Sequence, residues 1–381
     1  MQRNFFLITI SDLLFEFAHS LVFIFGVLFF YQKLGESVLL AVIPVALIHL
    51  VHGSLLKFFV EILFKIGIKK SLTIGALFYS LASILIYFDS QLSVGTLVLW
   101  VLFNAIGNIF HYIPVIYILG HNTTDINRPR LFSLRKIAFI LLAIIHPLLG
   151  GLTAQFLNLN GTMLIALILY IGSIIPVIAM NDFKLDKKLN LHASLQTVES
   201  KKIILFKIGR VITENFNILW PLFIFLLFKD SFLQVGILFT IVNFISILIA
   251  YTVGKIVNRK NELKIFDKVK WTSTFAWFFR AFTFNYITAL ITDTVYKLNE
   301  VFRSSVSDVI DFELMNNSKH SDIKIEFIVI REITTNIATA IFYILSAILI
   351  TYFGFYDSFI IIGIVGFIAM SLVERSLNKK S

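Results

Sequence analysis

Twelve apolar runs, most of them about 20 residues or longer and separated by short polar segments, constrain this chain more than any other feature. They fall at about 5–31, 37–64, 70–88, 92–119, 132–157, 161–180, 204–228, 232–257, 266–284, 286–309, 326–353 and 356–374. A helix rises ~1.5 Å per residue, so roughly 20 residues cross a ~30 Å hydrocarbon core. Composition excludes the soluble alternative. Apolar residues are 58% of the chain and charged residues 15%, too few for the polar shell that a water-soluble core needs. Mean hydropathy is +0.87. Only 6 of 381 residues are Pro, so the apolar mass can run in long helices. The first run, Phe5 to Phe30, is longer than a signal-peptide core and lacks a small-residue cleavage site, so it reads as the first span.

Loop charges set the orientation. Alternate loops are rich in Lys and Arg: Lys65, Lys69 and Lys70 in the second, Arg128 to Lys136 in the fourth, Lys184 to Lys202 in the centre, Lys255 to Lys270 in the eighth. Lys319 and Lys324 follow in the tenth, and Arg375, Lys379 and Lys380 close the chain. With Arg3 inside, this places both termini in the cytoplasm. The alternation also supports the tenth run, the most polar, because omitting it would put the C-terminal cluster outside. The net charge of +10 is thus an orientation signal and not a nucleic-acid footprint. Cys is 0, which excludes disulfides, thiolate metal sites and cysteine nucleophiles. No metal site, cofactor or phosphate-binding Gly loop is expected. His49 and His52, at i and i+3 without a carboxylate, read as packed residues.

The halves look alike. Asp12, Glu16 and His19 open the first span, and Arg210, Glu214 and Asn217 open the seventh. Subtracting 16 from 214 gives an offset of 198, which also pairs Leu21 with Leu219, Phe25 with Phe223 and Phe30 with Phe228. Arg135 pairs with Arg331 at an offset of 196. Constant offset and matched charge pattern point to an internal repeat. The expected organisation is an N-terminal six-helix bundle over 1–183, a central cytoplasmic loop over 184–203 and a C-terminal six-helix bundle over 204–381.

This pattern resembles the major facilitator superfamily along the whole chain. The eighth loop carries Gly254-Lys-Ile-Val-Asn258-Arg259-Lys260, similar to the family's Gly-x-x-x-Asp-Arg signature with Asn in place of Asp. The second loop keeps only the tail, Lys65-Ile-Gly67-Ile-Lys69-Lys70, with Val60 and Phe64 at the Gly and Asp positions. His146-Pro147-Leu-Leu-Gly150-Gly151 resembles the end of the family's exporter-associated motif, without its upstream glycines. Arg331-Glu332 resembles the start of the eleventh span in some bacterial members. The resemblance implies an all-α membrane protein of about 12 transmembrane helices in two pseudo-symmetric six-helix bundles. The bundles would rock about a cavity lined by spans 1, 4, 7 and 10, with Gly254, Arg259, Arg135 and Arg331 in gating roles.

Charge inside a span is expensive and calls for a reason. Asp12, Glu16 and His19, at i, i+4 and i+7, share one helix face. The same spacing recurs in Arg210, Glu214 and Asn217, in Asn104, Asn108 and His111, and in Asp293, Lys297 and Glu300. These twelve residues are the candidate substrate-binding or coupling groups. The bland reading stands beside this one: Asp293, Lys297, Glu300 and Arg303 alternate in sign and can neutralise one another along the helix, and Arg210 can pair with Glu214 or Asp12. Glu16 beside His19 suits two roles, a switchable proton site or a fixed charge for a cationic substrate, and the sequence leaves both open.

The expected function is a secondary active transporter moving a small solute by alternating access, driven by a proton or a solute gradient and leaning slightly to export. It is a non-enzyme of the plasma (inner) membrane, a monomer in contact with lipid and with no nucleic-acid partner. The alternatives are a membrane-embedded lipid-group transferase and a transport-inactive member of the same fold that binds or senses.

Overall fold

The protein is described by a computed structural model over residues 2–89, 91–121, 128–182, 184, 195, 197–214, 218–256, 262–316 and 324–378. Helices carry nearly all of these residues, because a backbone surrounded by lipid must satisfy its own polar groups. In order they are α1 (Gln2–Lys33), α2 (Val38–Ile66), α3 (Ile68–Phe88), α4 (Val94–His121) and α5 (Arg128–Ile178). There follow α6 (Val198–Glu214), α7 (Leu219–Leu227), α8 (Phe232–Ile256), α9 (Glu262–Arg280), α10 (Tyr286–Asn316) and α11 (Lys324–Asn378).

Two of these helices contain two expected spans each. α5 bends at Asn158 (φ 59°, ψ 173°), between the fifth and sixth runs. α11 bends at Gly354 (φ 76°, ψ 176°), between the eleventh and twelfth. The seventh run is divided between α6 and α7. Among the described residues, eight helical stretches are long and apolar enough to cross a membrane. α9 and α10 are not among them. Their charges are matched inside the protein instead, as with Lys270, whose Nζ lies 2.6 Å from Glu374 and 3.0 Å from Asp267. Outward-facing Phe58, Phe88, Ile175, Leu248 and Ile287 are each more than 60% exposed. Apolar exposure on this scale belongs against acyl chains. The chain is a multi-pass membrane protein.

The chain divides into two compact units, one of residues 1–188 with 231–240, the other of 189–230 with 241–381. In the first, α1 packs on α5, and α3 on α4 and α5. The α3–α4 crossing is close because both contact residues are glycines: a Cβ at Gly75 would lie 3.0 Å from the Gly107 carbonyl oxygen, and one at Gly107 would lie 2.6 Å from the Tyr79 ring. That crossing fixes Tyr79 between the helices. Gly151 approaches Gly236 equally closely; an added Cβ would meet the Phe232 carbonyl oxygen at 2.7 Å. In the second unit, α11 packs on α6 and α9, and α9 on α10.

Some helix entries are capped by side chains. Asp89 accepts the backbone N–H groups of Gln91 (3.1 Å) and Ser93 (2.9 Å) and the Thr96 hydroxyl (2.5 Å). These donors hold its carboxyl below the usual carboxylate range, at about 2. Between α9 and α10 a neutral residue does the same work: Asn285 Oδ1 accepts the Thr288 N–H at 2.9 Å, and Thr288 Oγ1 accepts the Asn285 N–H at 2.9 Å.

Candidate functional site

Among the described residues, each unit holds a buried cluster of ionisable side chains where its helices meet. In the first unit the cluster joins α1, α4 and α5. Asp12 is 2% exposed. His111 Nε2 lies 3.0 Å from its Oδ1, and the Arg135 guanidinium donates to its Oδ2. One turn along α1, Glu16 Oε1 accepts the Tyr112 hydroxyl at 2.5 Å. The rings of Phe15 and His111 lie parallel, with centroids 3.4 Å apart. Tyr79 stands edge-on to Phe15 at 4.9 Å and to His19 at 5.6 Å, and Tyr170 lies 5.0 Å from Tyr79.

The second unit builds its cluster from α6, α9 and α10, with α7 adding an aromatic ring. Arg210 Nε donates to both oxygens of Glu214, at 2.8 and 2.9 Å. Arg303 Nε lies 3.3 Å from Glu214, and its terminal nitrogens donate to the Thr213 carbonyl and the Tyr296 hydroxyl. Deeper still, Arg280 donates to Asp293 at 2.7 Å, with both side chains 1% exposed. The Arg280 guanidinium sits 3.5 Å from the Tyr296 ring centroid, 4.1 Å from Trp220 and 4.6 Å from Trp277. Such a cage offsets part of the desolvation of a buried cation. Lys297 pairs with Glu300 at 2.7 Å in a half-exposed setting.

No protein-family model matches the sequence, and no curated protein does. Solved structures match along nearly the whole chain. A POT family transporter in complex with 5-aminolevulinic acid is 12% identical, covers 97% of this chain and 95% of its own, and gives a TM-score of 0.77. The peptide transporter POT in complex with sulfate is 10% identical over 97% and 93%, with a TM-score of 0.75. The human organic anion transporter MFSD10 is 11% identical over 98% and 99%, with a TM-score of 0.74. The chain has the major facilitator fold.

Within that fold the expected polar stripes are partly redistributed. Asp12, Glu16 and His111 meet in one cluster, with His19 reaching it through the aromatic rings. Arg135, expected at a gate, is the partner of Asp12. Arg331 pairs instead with the adjacent Glu332, at 2.9 Å. Asn104 donates back to the Trp100 carbonyl of its own helix at 2.7 Å, and Asn108 is 9% exposed. The α10 ladder is broken open: only Lys297 and Glu300 pair along the helix, while Asp293 turns to Arg280 and Arg303 to Glu214. Gly254 lies near the end of α8. Asn217, Arg259 and most of the central loop lie outside the described residues.

Sequence reasoning missed Arg280, at the end of α9, and the ring set of Phe15, Tyr79, Tyr112 and Tyr170. Aromatic rings give no signal in a chain with 41 Phe. The Gly75–Gly107 crossing would have pointed to Tyr79.

Proposed function

We propose that the protein is a secondary transporter, not an enzyme, that carries a small solute across the plasma membrane by alternating access. The observation that supports this most is the match, over at least 97% of the chain, to transporter structures solved with or named for small solutes. The ionisable clusters inside both units add to it, because charge is retained within apolar spans mainly where it meets a substrate or coupling ion. The reading includes twelve spans, six in each half, with both termini in the cytoplasm. It includes Glu16 and Glu214 as the central carboxylates, with a proton as the coupling ion.

The test is uptake or release of a broad solute panel by proteoliposomes under an imposed proton gradient, against protein-free liposomes. Gradient-dependent movement of at least one solute class is expected. Specific binding with no movement in either direction would replace this reading with a sensor of the same fold.

A further inference from the structure

The first unit treats its two α1 carboxylates differently. Asp12 is neutralised and enclosed: one oxygen meets His111 and the other meets Arg135. Glu16 forms no ion pair among the described residues. Its protein partner there is the Tyr112 hydroxyl, on one oxygen only, and Glu16 and Tyr112 are both only partly buried. Asp12 already meets both a histidine and a guanidinium, so Glu16 is the carboxylate of this set left without a cationic partner among the described residues. It lies near the middle of a 31-residue apolar span, where an uncompensated carboxylate is expensive and marks a partner still to come.

The surroundings narrow the partner's chemistry. The ring of Tyr112 lies 6.3 Å from Phe15 and 6.4 Å from His19, and Tyr79 closes against both Phe15 and His19. Ring faces present negative potential and attract cations. Tyr79 and Tyr170 are 2% and 1% exposed, and their hydroxyls have no hydrogen-bond partner among the described residues; nor has His19 Nδ1. Buried polar atoms in that state are matched by something with donors or acceptors of its own. An anion would meet the Glu16 charge, and a neutral solute would leave it unpaired. A cation answers both the charge and the rings.

We propose that the transported solute carries an organic cation, an ammonium or guanidinium group, which binds Glu16 beside the aromatic wall of Phe15, Tyr79 and Tyr112. The Asp12–His111–Arg135 set acts as a positioning group: it holds α1, α4 and α5 together while keeping Arg135 away from Glu16. This rests on the transporter reading above and supplies its substrate class.

The experiment uses the full chain, purified in detergent, and three probes with one ring and three headgroups: benzyltrimethylammonium, benzyl alcohol and benzoate. Thermal stabilisation is titrated for the native protein, for Glu16→Gln and for Glu16→Asp. The cation alone is expected to stabilise the native protein. Its affinity should fall about tenfold or more in Glu16→Gln, and Glu16→Asp should keep the cation preference at reduced affinity. Should Glu16→Gln fail to fold, the headgroup preference in the native protein and in Glu16→Asp decides. Equal or better stabilisation by benzoate or benzyl alcohol, no stabilisation by the cation, or an unchanged affinity in Glu16→Gln overturns the proposal. None of those outcomes touches the transporter reading, which stands or falls on solute movement in the proteoliposomes.

Discussion

Glu16 and Glu214 occupy matching places in the sequence repeat, yet the two units hold them in opposite ways. Glu16 keeps one neutral hydrogen bond, from Tyr112, whereas Glu214 is clamped between the guanidinium groups of Arg210 and Arg303. The origin is a single reversal of sign. The repeat partner of Asp12 is Arg210, so the acid that receives Arg135 in the first unit has become a base in the second. Arg331, the repeat partner of Arg135, has no acid at that place and takes Glu332 instead. One exchanged charge thus rewires three pairs, leaving one half with an acid that meets a neutral hydroxyl and the other with its acid held by two arginines.

The comparison is tested first where the expected effect is largest. Asp293→Asn leaves Arg280 charged and almost fully buried, so it should destabilise the second unit by about 3–5 kcal/mol. Asp12→Asn should lose less, about 1–3 kcal/mol, because the Arg135 side chain is 22% exposed and can reach a more polar setting. Thermal unfolding in one detergent measures both, and equal losses would break the contrast. Replacing Arg280 and Asp293 together with apolar residues should return most of the stability lost by Asp293→Asn, since the cost lies in the widowed charge.

Next comes the pair of central glutamates. Glu214→Gln removes the shared counter-charge of two guanidinium groups and should destabilise by about 1–3 kcal/mol, moderated by the partial exposure of Arg210 and Glu214. Glu16→Gln should change stability by no more than about 1 kcal/mol, because the amide can still accept from Tyr112. Transport should suffer in both, but only the Glu214 variant should lose thermal stability as well. A Glu16 variant that unfolds early would show that this carboxylate holds the fold.

The smallest effect lies at the helix entries. Asp89 has a folded-state pKa near 2, below its ordinary value of 3.8. Its contribution is therefore present above about pH 4 and lost as pH falls toward 2. Asp89→Asn should flatten the acid side of the stability profile slightly. Asn285→Ala, at the uncharged counterpart, should shift the profile by a similar small amount at every pH. An acid-sensitive Asn285 variant would contradict the assignment.

The helical framework was legible because the bilayer imposes a length on each apolar run, and the runs at 37–64 and 70–88 lie close to α2 and α3. The stripe of Asp12 and Glu16 was legible for a related reason: a charge inside such a run is conspicuous. Partner choice was not. Spacing of four along α10 suggests a ladder, yet Asp293 turns to Arg280 thirteen residues upstream, because a cation on the neighbouring helix surrounded by three aromatic rings is a better-buried mate than Lys297. Arg280 lies inside the run at 266–284 and its mate Asp293 in the next run, so spacing along a single helix could not pair them. At Asn158 and Gly354 a single positive-φ residue joins two helical stretches, a link shorter than the polar segments expected between runs.

The stack of Phe15 on His111 makes the first cluster observable from outside. With the ring centroids 3.4 Å apart and the planes within 10° of parallel, the phenyl ring current shields the carbon-bound protons of that imidazole. His111 should therefore resonate well upfield of the other seven histidines. Any event that separates α1 from α4 would move that one signal back among them, giving a native magnetic reporter of the Asp12 junction without a label.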